Sequence, residues 1–190
     1  KDRALTPAKV TPKSDFEKVA HHVYSFYQDR LKILNAVDFG DLILLCLRLF
    51  MEHADVLAQY TTLFQYILVD EYQDTNRTQF ELISRLAEGH SNLFVVGDDD
   101  QSIYGWRGAE VKNLFQLNRD YPTLEVVKLE ENYRSTGSIL KGSNSLIANN
   151  TERLGKTLRS NLGLGKSIRV WEAATGEEEA ERVAAEIRAQ

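Results

Sequence analysis

Cysteine is almost missing from this chain of 190 residues. Cys46 stands alone in the apolar run Leu42-Ile43-Leu44-Leu45-Cys46-Leu47, so no disulfide can form within the chain. That fits a reducing cytosol and predicts a buried, inert thiol. Long hydrophobic runs are also missing. None approaches the roughly 18 residues that a membrane-spanning helix needs, and the opening residues do not read as a signal peptide. An excess of positive charge is missing as well: 23 Lys and Arg stand against 28 Asp and Glu, for a net charge of −5. A purely electrostatic nucleic-acid binder is thereby excluded, and any such contact must rest on a local patch or on stacking. The four histidines, His21, His22, His53 and His90, show no metal-ligand spacing. The chain opens on Lys1-Asp2-Arg3 rather than on Met, which reads as the first sign of an internal piece of a longer protein.

One further absence matters for chemistry. A phosphate-binding loop has the spacing G-x-x-x-x-G-K-[ST], in which backbone N–H groups cradle phosphates and the Lys neutralises them. Two segments imitate its end. Gly155-Lys156-Thr157 would need glycine at position 150, which is Asn150; Gly165-Lys166-Ser167 would need one at position 160, which is Ser160. The second also leads into Ile168-Arg169-Val170-Trp171, a strand pattern, where a helix should open.

Residue periodicity organises what remains. Ser14 with Glu17 has the spacing of a capping box, and apolar residues then recur at helical intervals to about Leu34. Further helices are predicted over 41–51, 54–63, 78–86, 110–119, 136–149 and 177–189. Short apolar, partly β-branched runs at 66–69, 93–96, 124–129 and 167–172 read as strands, the first two buried on both faces. Strands alternating with helices predict an α/β fold with a parallel sheet, preceded by an all-helical module over 1–37.

Three polar clusters follow predicted strands. In parallel sheets ligands bind outside the carboxyl ends of the strands, and the first strand runs straight into Asp70-Glu71-Tyr72-Gln73-Asp74. In a phosphate-hydrolysing site the first acid helps to hold Mg²⁺ and a second orients or deprotonates water. Adjacent acids in such a place also serve simply to start a loop or cap a helix. The second strand ends in Gly97-Asp98-Asp99-Asp100-Gln101, where the Gln101 amide has the chemistry to reach a phosphate oxygen or a water, and where turn formation is the plainer reading. Next come Tyr104-Gly105-Trp106-Arg107, aromatics without core periodicity, suited to stacking bases or to plugging the space beneath a loop. The third cluster is Glu130-Glu131-Asn132-Tyr133-Arg134-Ser135-Thr136, whose arginine would by itself read as a surface ion pair.

Taken together, Val69-Asp70-Glu71-Tyr72-Gln73-Asp74-Thr75-Asn76, the run from Val95 to Ala109 and the run from Leu129 to Thr136 resemble, in order and spacing, the motifs of superfamily 1 DNA helicases of the UvrD/PcrA/Rep type, with the strongest likeness to the bacterial PcrA type. The likeness extends upstream to Asp38-Phe39-Gly40-Asp41-Leu42 and downstream to Thr175-Gly176-Glu177-Glu178-Glu179-Ala180. The family often carries an acid where Gly40 stands, so Asp38 and Asp41 are left as helix-capping candidates. The resemblance implies RecA-like motor-domain portions: 1–37 as the end of a helical inserted subdomain, 38–128 as the C-terminal half of the first motor domain, and 129–190 as the start of the second. It implies ATP and Mg²⁺ as cofactors, with Asp70 on the metal, Glu71 as catalytic base and Gln101 as γ-phosphate sensor. Tyr133 would stack on adenine, and Arg134 would approach the γ-phosphate. Tyr104 and Trp106 would stack single-stranded DNA, with Arg107 linking DNA and nucleotide. The implied whole is a cytoplasmic, nucleoid-associated bacterial 3′-to-5′ helicase of DNA repair or replication. Its partners are single-stranded and duplex DNA and the other fragments of the same polypeptide. Without a phosphate loop the chain alone is expected to be inactive. A non-catalytic DNA-binding or regulatory module with retained motifs is the alternative.

Overall fold

The first cluster of acids stands where two short strands end. In the computed structural model, which describes residues 1–189, strand β1 (Ile67–Val69) pairs in parallel with β2 (Leu93–Val95), in the register Ile67↔Leu93, Leu68↔Phe94 and Val69↔Val95. The chain divides into two compact units, Lys1–Val126 and Val127 onward.

In the first unit, the helices are α1 (Asp15–Ile33), α2 (Phe39–Glu52), α3 (Ala54–Leu63), α4 (Arg77–Ala87) and α5 (Lys112–Asp120). Capping chemistry sets several of their starts. The Ser14 hydroxyl accepts the Glu17 N–H at 3.2 Å, but the Glu17 carboxylate takes the Lys13 N–H instead of returning to Ser14. The box predicted there is therefore half closed. Complete boxes form at α2, between Asp38 and Asp41, and at α4, between Asn76 and Gln79. Each satisfies two N–H groups that a helix start otherwise leaves without partners.

Along α2, Asp41, Leu44, Leu47 and Phe50 are buried at intervals of three, against α3 and α4. That spacing turns Cys46 to the opposite face, where it is exposed. The expected buried thiol is thus corrected: the helical period, not the apolar run around it, decides its environment. Beneath the sheet, Tyr72, Phe80 and Leu117 form the core cluster, joined by Val69, Ile83, Leu93, Val95 and Leu114. Fully burying such side chains stabilises the unit by about 1.5–3 kcal/mol each.

Two sequence expectations are corrected by the sheet. The first two strands are not buried on both faces: Leu68 is 74% exposed and its cross-strand neighbour Phe94 62%. One face of β1–β2 rests on the core and the other is open apolar surface. The strands expected at 124–129 and 167–172 do not form; among the described residues the sheet has two strands. A strand exists only as a member of a hydrogen-bonded ladder, and β-propensity alone does not supply the partner.

In the second unit, helices α6 (Gly137–Ile147) and α7 (Gly176–Arg188) are joined by an irregular segment. The N-terminus of α6 is satisfied by main-chain carbonyls: Gly137 N–H donates to Gly163 O at 2.8 Å and Ser138 N–H to Leu164 O at 2.9 Å. The intervening loop needs left-handed backbone at Gly163 and Gly165, with φ of 74° and 72°. Gly165-Lys166-Ser167 opens no helix, which removes the second phosphate-loop imitation on geometric grounds as well. No helix among the described residues is long and apolar enough to cross a membrane.

Candidate functional site

Asp70 is the first residue beyond β1, and both it and Glu71 are exposed. Asp70 Oδ1 accepts the Glu71 N–H at 2.9 Å. Glu71 then takes left-handed backbone, φ 50° and ψ 43°, a conformation that costs a non-glycine residue roughly 1–3 kcal/mol. The reversal turns the chain sharply into the short turn Tyr72–Asp74, whose Asp74 N–H donates to Glu71 O at 2.9 Å. The Tyr72 N–H meanwhile bonds Val96 O at 3.0 Å and continues the β1–β2 pairing past the strand ends. Tyr72 is buried at the core, and burial pushes its phenol strongly upward, so it stays neutral.

Gln73 follows the two acids and is 1% exposed. Its Nε2 donates to Glu71 Oε2 at 2.7 Å, and its Oε1 accepts the Asp98 N–H at 2.9 Å. One buried amide therefore joins the loop after β1 to the loop after β2. Asp98 holds that second loop: Oδ1 accepts the Asp100 N–H at 3.0 Å and Oδ2 accepts Gln101 Nε2 at 2.7 Å. The Asp98–Asp99–Asp100 carboxylates lie close together, and this turn-capping role accounts for Asp98 among them. A primary amide has two N–H groups, so the bond to Asp98 uses one Gln101 donor and fixes the direction of the other.

The aromatic segment forms a tight turn over Gly105–Arg107, closed by Arg107 N–H on Tyr104 O at 2.9 Å. Trp106 is 81% exposed and so is no plug beneath a loop. The Arg107 guanidinium lies 5.6 Å from the Tyr104 ring centre and 5.7 Å from that of Trp106, within cation–π range of both. This turn is tied back to the chain beyond the acids. Ala109 bridges Asn76, the Glu110 N–H donates to Thr75 O at 3.0 Å, and buried Asn113 donates to the same carbonyl at 3.0 Å.

In the second unit, Glu131 bridges Arg159 in parallel, and Asn132 N–H donates to Arg159 O at 2.7 Å. Asn132 Oδ1 then accepts the N–H groups of Arg134 and Ser135, at 3.0 and 2.7 Å, and turns the chain so that Tyr133 and Arg134 are exposed. A hydrogen bond to Glu131 raises the Tyr133 phenol above its ordinary range.

Residues 1–122 match the family described as UvrD/REP helicase N-terminal domain, and residues 127–190 match UvrD-like helicase C-terminal domain. The chain belongs to the UvrD/REP helicase family. Among its relatives, the ATP-dependent DNA helicase Rep of Salmonella typhimurium is 46% identical over 98% of this chain and 28% of its own length. ATP-dependent DNA helicase PcrA of Leuconostoc citreum is 44% identical over 99% of this chain and 25% of its own length. PcrA of Staphylococcus aureus is 49% identical over 87% of this chain. The chain thus spans about a quarter of the length of these relatives.

In this chain, Asp70, Glu71 and Gln101 share one edge of the first unit, and Tyr104, Trp106 and Arg107 share one turn of it. Tyr133 and Arg134 lie on the second unit. Sequence reasoning missed Gln73. Its place between two acids was a visible signal, but its partner on the β2 loop was not.

Asp38 and Asp41 are more than caps. Lys1 Nζ is within salt-bridge distance of both, at 2.8 Å from Asp41, while Tyr27 bonds Asp38 and Gln28 bonds Asp41. Burial pushes the Asp38 carboxyl up, but Lys1, the Asp41 N–H and Tyr27 outweigh it and hold it down to about 2. A Cβ on Gly40 would come within 2.9 Å of the Lys1 side chain, a contact that a shift of that flexible side chain would relieve.

Proposed function

We propose that this chain is an internal segment of an ATP-dependent, 3′-to-5′ DNA helicase or translocase. In that reading, 1–37 ends a helical inserted subdomain, 38–128 is the C-terminal half of a RecA-like motor domain, and 129–190 begins a second. The observation that carries the reading is the pair Asp70 and Glu71, presented by a strained reversal at the carboxyl end of a parallel strand and braced against the loop of the neighbouring strand.

Each residue has a role suited to its setting. Asp70 has one oxygen committed to Glu71 N–H, and a carboxylate at a strand end offers the hard oxygen donor that Mg²⁺ prefers. Asp70 would hold that ion, which would supply positive charge to neutralise phosphate. Glu71 accepts the proton of the attacking water. Gln101 donates an amide N–H toward the γ-phosphate, and Arg134 offers it a guanidinium. The exposed Tyr133 ring stacks on adenine. Tyr104 and Trp106 stack single-stranded DNA bases, and Arg107 connects that turn to the nucleotide. The open apolar face of the sheet, with Leu68 and Phe94 more than half exposed, supports a partner surface on another part of the same polypeptide.

The test is Glu71→Gln in the full-length protein that carries this chain. Nucleotide binding is expected to stay nearly intact while DNA-stimulated hydrolysis falls by about 10²-fold or more. Turnover within about tenfold of the parent would remove Glu71 from the role of base. The same assay on the 190-residue chain alone is expected to give no hydrolysis, because no phosphate loop is present to bind the nucleotide.

A further inference from the structure

Glu71 has a problem of placement. It is exposed, it stands on left-handed backbone, and its side chain has three rotatable torsions. A general base must lie within about 2.6–3.2 Å of the proton that it takes, so some group has to hold this carboxylate. Asp70 bonds only the Glu71 backbone. Gln73 bonds the carboxylate itself.

From this geometry we infer that Gln73 is a positioning residue for hydrolysis, setting the Glu71 carboxylate and registering it to the loop after β2. The inference rests on the reading of Glu71 as base. Gln73 cannot be turned over. With its amide reversed, the oxygen would face the Glu71 carboxylate and the NH₂ would face the Asp98 N–H, giving acceptor against acceptor and donor against donor. The orientation is therefore unique, and burial at 1% exposure removes water as a substitute partner. The site also leaves no slack. A Cβ on Gly97 would lie 3.0 Å from Gln73 Oε1 and 3.4 Å from Tyr72 Cβ, so glycine there lets the amide reach the β2 loop. The bond to Oε2 holds the carboxylate in place and leaves acceptor capacity on Glu71 for the proton of water.

The experiment uses the full-length protein that carries this chain and measures ATP hydrolysis with saturating single-stranded DNA. Gln73→Glu keeps an acceptor for the Asp98 N–H but faces Glu71 with a second carboxylate. The expected result is a loss in kcat of about tenfold or more with KM for ATP changed less than about threefold. Gln73→Met, which removes the donor without adding charge, should also lower kcat and leave KM for ATP near the parental value. Added to Glu71→Gln, Gln73→Glu should cause no further loss, since the group being positioned is already gone. Parental kcat in Gln73→Glu, alongside a dead Glu71→Gln, would overturn the positioning role and leave the base standing. An active Glu71→Gln would overturn the base and the positioning role with it. If Gln73→Glu does not fold, Gly97→Ala carries the test by pressing on Oε1: a several-fold fall in kcat at constant KM is expected, and parental kcat would overturn the inference.

Discussion

Trp106 offers a way to separate stacking from charge in DNA binding. Its indole is 81% exposed, with the Arg107 guanidinium 5.7 Å from its ring centre. Truncation to alanine opens no internal cavity, so fold stability should change by no more than about 0.5 kcal/mol. If the ring stacks a base, its loss removes about 1–3 kcal/mol of single-stranded DNA affinity, a rise in Kd of about 5- to 150-fold. The ring carries no charge, so the loss should be the same at every salt concentration. A plot of log affinity against log salt should shift down in parallel for Trp106→Ala. Arg107→Gln removes a cation instead. If Arg107 meets a phosphate, the slope should become shallower by about 0.7, the counterion released per contact on a single strand. Fluorescence anisotropy with a labelled oligonucleotide in the full-length protein, from low to moderate salt, reads both quantities. A Kd within about twofold of the parent, or a changed slope with Trp106→Ala, would refute the stacking argument.

Two further outcomes follow from the packing. The Asp38 carboxyl is held at about 2 against an ordinary 3.8. A folded value below the unfolded one means that its contribution is complete above about pH 4 and is lost as pH falls toward 2. Its side chain is 29% exposed, and after allowance for screening the contribution is about 1–2 kcal/mol. The difference in thermal midpoint between the parent and Asp38→Asn should therefore shrink on acidification through that window, and a difference independent of pH would contradict the ion-pair account. Gly165→Ala should destabilise the second unit by about 2 kcal/mol or more, because φ is 72° and the new Cβ would collide with the Thr136 side chain at the start of α6. Limited proteolysis between Val127 and Ala189 reads this directly, and parental resistance would contradict it.

Much of this protein was legible in the residues alone, and the reason is local. Helix starts are written in short-range chemistry, so Asp38–Asp41 and Ser14 marked α2 and α1 before any packing was known. The turn from an apolar run into Asp70-Glu71 identified the strand end, because burial and charge change over one residue. The ordered motifs carried the family. Other properties depended on what lies across space. Cys46 is exposed because the helix turns it away from α3 and α4. The runs at 124–129 and 167–172 have strand composition but join no ladder among the described residues. Glu17 caps Lys13 rather than Ser14, a choice of rotamer that composition does not contain. Gln73 is the clearest case. The sequence determines that an amide follows two acids; only the tertiary structure decides that its far end meets Asp98, 25 residues away, because parallel pairing of β1 with β2 brings two strand ends to the same edge.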